Sequence, residues 1–127
     1  MTILRLLAIA SVALVATGPC FAADMRHCAG VIYVAVASSG GVSIDGKAVD
    51  PLKINETFAT LRPSSKFIMY SRENASDEPQ GDDQTRIRRV MDAMMRLRLP
   101  ISLSTKADYS DSVDQDGNSH PRISCPV

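Results

Sequence analysis

Apolar positions along this chain change period several times, and each change marks an element. "VIYVAVA" (Val31 to Ala37) is β-branched and aromatic throughout, which predicts a strand with at least one well-buried face. Ser38 to Gly41 have turn composition. In the "VSIDGKAV" that follows, Val42 and Ile44 alternate with polar residues, and Asp45-Gly46 supplies the residue types that tolerate positive φ. The chain is expected to fold back on itself here.

Asp50-Pro51 then opens a helix: an Asp that accepts a first-turn N–H, and a Pro whose missing donor costs nothing there. Ile54, Phe58 and Leu61 share one face, and the helix is expected to stop before Pro63. "KFIMYS" (Lys66 to Ser71) is a short continuous apolar run suited to a central strand buried on both faces. A polar loop, Arg72 to Gln84, carries Pro79, Gly81 and much of the acidic charge. Ile87, Val90, Met91, Met94 and Leu97 follow the spacing of one apolar helix face. Asp82 and Asp83 near its start and Arg96 and Arg98 near its end suit the helix dipole. Pro100 ends it, and "ISLST" (Ile101 to Thr105) gives a last strand. From Lys106 the chain is polar and turn-rich, so residues 106–127 are expected to be a mobile tail that Cys125 ties back.

The first 23 residues differ in kind. Arg5 precedes an apolar run from Leu6 to Ala16, then a Gly18-Pro19 break and small residues. That order reads as a secretory signal peptide cut just before Ala23 or Asp24. The rival readings are an uncleaved anchor, for which the apolar run is short, and a lipidated Cys20, against which Pro19 stands. Removing the segment leaves two cysteines, Cys28 and Cys125, and an even pair in an oxidising compartment reads as a disulfide. Two free thiols is the alternative, since sequence does not show proximity.

The expected fold class is therefore α+β: a small mixed β-sheet with two helices packed on one face, in the order β-β-α-β-α-β. Length allows one domain, residues 24–105, after the leader. Together, "VIYVAVASSGGVSIDGKAV", the helix with Leu52, Phe58 and Leu61, "KFIMYS" and "RVMDAMMRLRLPISLST" resemble the periplasmic domain of the ExbD/TolR family of energy-transducing envelope proteins. The resemblance runs from about Val31 to Thr105 and contains no catalytic signature.

It implies a dimerising periplasmic module of biopolymer transport. In that family such a module works beside a proton-conducting inner-membrane partner and touches TonB-like or TolA-like proteins or peptidoglycan. This chain departs from the pattern in three places. Leu6 to Ala23 holds no Asp or Glu, so the membrane-embedded acid used for proton coupling is missing. The loop from Glu73 to Asp83 is longer than usual, and Arg98 stands where a Gly commonly ends the last helix. The resemblance thus implies an exported, periplasmic relative that kept the domain and lost the motor; an inner-membrane anchored form facing the periplasm is the alternative location.

Composition narrows the chemistry further. Fourteen Lys and Arg balance fourteen Asp and Glu, which argues against whole-molecule attraction to nucleic acid. Charge is unevenly placed: Arg86, Arg88, Arg89, Arg96 and Arg98 follow Glu73, Asp77, Glu78, Asp82 and Asp83, and a second acidic run holds Asp108, Asp111, Asp114 and Asp116. Opposite blocks so close in sequence usually screen each other. His27 and His120 lie toward the two ends, in no motif with a nucleophile, and Cys28 and Cys125 lack a CxxC context, so no enzyme, cofactor or metal is expected. "SVDQDGN" matches part of a calcium loop, but Ser112 and Ile123 stand where its first and last ligands belong. Asn55 and Asn74 open glycosylation sequons. Arg86, Arg89 and Arg96 remain as candidate partner-binding residues, since guanidinium suits carboxylates of peptidoglycan peptides or an acidic protein segment. A sheet edge offers strand addition as a second docking mode. A small secreted, disulfide-closed binding or inhibitor protein is the alternative function.

Overall fold

Strand β1 (Val31–Val36) lies at the centre because both of its faces are apolar. Ile32, Val34 and Val36 point to one side, and Val31 and Tyr33 to the other. Strand β4 (Phe67–Arg72) runs parallel beside it, from Val31 opposite Phe67 to Val36 opposite Arg72. It repeats the division, with Ile68 and Tyr70 on one face and Phe67 and Met69 on the other. With β2 (Val42–Ile44), β3 (Lys47–Val49) and β5 (Ile101–Ser104) they form a mixed sheet of order β3-β2-β1-β4-β5. The computed structural model describes residues 22–74 and 78–126. The expected leader lies almost wholly outside the described residues.

Two crossovers follow from the parallel pairings: α1 (Ile54–Leu61) between β3 and β4, and α2 (Asp82–Arg96) between β4 and β5. The Asp50 carboxylate accepts from the Leu52 N–H at 3.0 Å and opens a 3₁₀ turn, Pro51–Lys53, that leads into α1. Both helices seal the same face of the sheet: Ile54, Phe58, Val90, Ala93 and Met94 join Ile32, Val34 and Ile68 in one core. Ile87, Met91 and Leu97 pack at its margin. Past α2, Arg98 takes a left-handed conformation with φ 54, which costs a side-chain-bearing residue about 1 kcal/mol. Asp45 and Gly46 are both left-handed as well (φ 51 and 79), the geometry of the two-residue turn joining β2 to β3.

The tail departs from the expectation of mobility. β6 (Asp111–Val113) and β7 (Ser119–Pro121) pair as an antiparallel hairpin, and the chain leading to them packs on the second face of the sheet. Tyr109 joins Met25, Cys28, Val31 and Met69 in a separate buried cluster, and its hydroxyl donates to the Val34 carbonyl at 3.1 Å. The Tyr33 and Tyr109 rings meet with centroids 5.0 Å apart. The segment before β1 lies alongside: Met25 N–H bonds the Asp108 carbonyl and Ala23 N–H bonds the Arg122 carbonyl. Cys28 and Cys125 form a disulfide, Cα to Cα 5.5 Å. Among the described residues the predicted order of six strands and helices becomes nine, 3₁₀ turns aside, because the Asp45-Gly46 hairpin contributes two strands and the tail adds two more.

Asp111 organises this cover. It is 1% exposed, and its carboxylate accepts from Ser104 Oγ (2.5 Å), Thr105 N (3.0 Å), Thr105 Oγ1 (2.5 Å) and Ser119 Oγ (2.6 Å). Burial alone would raise its pKa; the bonds from Ser104, Ser119 and Thr105 outweigh that and hold it at about 2. The end of β5, the start of β6 and β7 are thereby joined through one anion.

Replacing Asp111 by Ala should cost about 2–4 kcal/mol in urea unfolding at neutral pH, because it strips several buried donors of their acceptor. The folded pKa of about 2 lies below the ordinary 3.8, so this stabilisation is complete above about pH 4 and is lost as pH falls toward 2. The variant should show a shallower acid transition than the parent; an unchanged one would refute the assignment. Reducing the disulfide, which spans a separation of 97 residues, should lower stability by about 4.7 kcal/mol on the chain-entropy model. Thermal melts with and without reductant measure this, and coincident melts would show that the bridge does not fasten the cover.

Candidate functional site

The side of α2 turned away from the sheet gathers three arginines around one aspartate. Spacing places Arg88, Asp92 and Met95 along one line of the helix and Arg89 and Arg96 along the next. The start of the α1 crossover runs beside them, so that Leu52 and Asn55 face Arg88, Arg89 and Arg96 across a cleft of about 340 Å³. α2 presents this side because Val90, Ala93 and Met94 anchor the opposite one in the core. Leu52 is 77% exposed, which leaves a large apolar side chain in the cleft with the guanidinium groups.

Arg86, Arg89 and Arg96 do not form one site. Arg89 and Arg96 share the cleft, whereas Arg86 sits around the helix against the turn between β1 and β2. It pairs with Asp83 at 2.8 Å, and its Nη1 lies 2.0 Å from where a Cβ on Gly40 would stand. Gly40, at φ 91, is the residue that lets the guanidinium lie there. Arg88 takes the place of Arg86 in the cluster; the seven-residue spacing of Arg89 and Arg96 did not point to it, although its position four before Asp92 puts it on the same side.

The acidic loop screens less of this segment than its sequence suggests. Glu73 accepts from the Ser38 N–H at 2.8 Å, and Asp83 holds Arg86. Among the described residues, no carboxylate reaches ion-pair distance of Arg88, Arg89 or Arg96. Asp92 is the single acid lining their cleft, so the surface is cationic without a partner of its own.

Other candidates have local structural employment. Asp114 caps the β6–β7 turn, accepting from the Asp116 and Asn118 N–H groups at 2.9 Å, and its second oxygen meets His120 Nε2 at 2.7 Å. The hydrogen bond from His120 is the main cause of its lowered pKa. His27 lies instead in a groove on the second face with Tyr33 and Asp45. Among the described residues no group of three or more His, Cys, Asp or Glu is gathered for a metal. Asn55 is exposed at the start of α1; the third residue of the Asn74 sequon lies outside the described residues. The sheet has two edges, β3 and β5, and β5 carries Leu103 at 39% exposure beside a groove lined by Tyr70, Ile87 and Met91. Among the described residues, no helix is long and apolar enough to cross a membrane.

No protein-family model matches this chain, and no curated protein matches it.

Because the three cleft arginines make no ion pair among the described residues, changing all of them to Gln should alter unfolding free energy by no more than about 0.5 kcal/mol. Urea denaturation measures this, and a loss of several kcal/mol would make the cluster part of the scaffold.

Proposed function

We propose that this chain is a non-catalytic, exported interaction module of the cell envelope, resembling the periplasmic domain of the ExbD/TolR family and associated with biopolymer transport. The observation that carries the reading is the exposed side of α2, where Arg88, Arg89 and Arg96 stand without acceptors beside Leu52. A cationic cleft of this kind suits the binding of carboxylates. The likeness to the family is supported by the "DGK" turn, which makes the β2–β3 hairpin, and by the "VMDA" stretch, which lies within α2. Arg98 remains a departure in residue type, in a left-handed conformation that Gly adopts without strain.

The departures shape the proposal. With no acid between Leu6 and Ala23, the chain has no group of its own in that segment to sense a proton gradient. It would act as a partner of the machinery, either an inner-membrane proton channel or TonB-like or TolA-like proteins, or against peptidoglycan, alone or as a homodimer. The disulfide and the packed β6–β7 cover favour a second reading, a small secreted binding or inhibitor protein. Both belong to an oxidising compartment.

Expression of the full chain in a Gram-negative host, followed by fractionation, intact mass and in-cell cross-linking, tests the proposal. The expected outcome is a periplasmic species starting near Asp24, without alkylatable thiols, cross-linked to an envelope protein or to cell wall. An uncleaved cytoplasmic chain with free thiols would refute export. Release into the medium with no envelope cross-link would replace the transport reading with the secreted one.

A further inference from the structure

We infer that the exposed side of α2 takes an acidic polypeptide segment that also carries one large apolar side chain. The inference rests on the interaction-module reading only in assuming that the chain works by binding. Arg89 and Arg96 are seven residues apart on a helix, so their stems are separated by about 10 Å along the axis. Carboxylates three residues apart on an extended polyproline II segment, which has about three residues per turn, share one face and span about 9 Å. Each guanidinium can engage a carboxylate through two parallel hydrogen bonds, and neither has to give up an existing partner to do so.

The apolar requirement comes from Leu52. A single exposed Leu carries no message, but Leu52 lines the cationic cleft itself, and Met95, also exposed, follows Arg88 by two turns on the same line of α2. A partner that met only the charges would leave Leu52 in water. The extended stem of each arginine widens the apolar ground further.

The same features turn away other occupants. A second copy docked face to face would bring three arginines and one aspartate against an identical set, adding like charge to like. Single-stranded nucleic acid would satisfy the arginines through phosphate, but no aromatic side chain lines the cleft to stack a base. A peptidoglycan stem peptide offers carboxylates but no large apolar side chain for Leu52.

Fluorescence anisotropy on the full, oxidised chain tests this with labelled short peptides carrying glutamates at three-residue spacing and one leucine moved through each position. Controls are the same peptides with Gln for Glu or Ser for Leu, an oligothymidylate and a soluble peptidoglycan fragment. At least one acidic, leucine-bearing peptide should bind, weakening several-fold between about 50 and about 200 mM salt. The Arg88→Gln, Arg89→Gln, Arg96→Gln variant should bind it at least about tenfold more weakly, and Leu52→Asn about threefold more weakly. Absence of any acidic-peptide binding, or binding indifferent to the arginine changes, overturns the proposal. So does indifference to both Leu52 and the peptide leucine, or tighter capture of the oligothymidylate or the peptidoglycan fragment. The two readings fail separately: envelope cross-links with no peptide binding would move the contact to another surface, and peptide binding by a chain with no envelope cross-link would remove the transport role alone.

Discussion

The parallel pairing of β1 with β4 imposes a demand that the rest of the chain must meet. Ile68 and Met69 are consecutive residues pointing to opposite faces, and both are fully buried. A strand of that kind cannot leave either face to water. One face is covered by α1 and α2, which the parallel connections require in any case. Among the described residues no helix covers the second, and it is closed by the segment before β1 and the chain after β5. Tyr109 supplies the apolar mass, Asp111 holds the hairpin in place, and Cys28 with Cys125 joins the two ends over the cluster.

How much of this was legible in the sequence follows from which contacts are local. The hairpin at Asp45-Gly46, both helices and the two-sided burial of β4 are written in near-neighbour spacing, and the structure contains all of them. The second cover is not written that way. Its chain reads as polar because its order comes from a buried carboxylate whose donors, Ser104, Thr105 and Ser119, come from elements on either side of it. No periodicity reports such an anion; only the fold brings its donors together. The arginine segment shows the same limit. Charge counting could not tell that Arg86 is spent on Asp83 and the Gly40 turn, or that Glu73 is spent on the backbone of Ser38.

α2 therefore divides its labour around its circumference. Val90, Ala93 and Met94 hold it to the sheet, Arg86 pairs with Asp83 and lies against the β1–β2 turn, and Arg88, Arg89 and Arg96 do neither. Residues that contribute nothing to folding are free to vary with a partner's charge. Such a surface can be altered without disturbing the scaffold that presents it.

The bridge between Cys28 and Cys125 also gives the domain a mechanical character. Tension applied through the leading segment and the last residues would run into the sulfur–sulfur bond and bypass the strands between. The 97 residues of separation, about 330 Å of contour if drawn straight, are withheld from extension. Held at both ends, this domain would behave as a short inextensible link, passing on a pull with its sheet and helices intact.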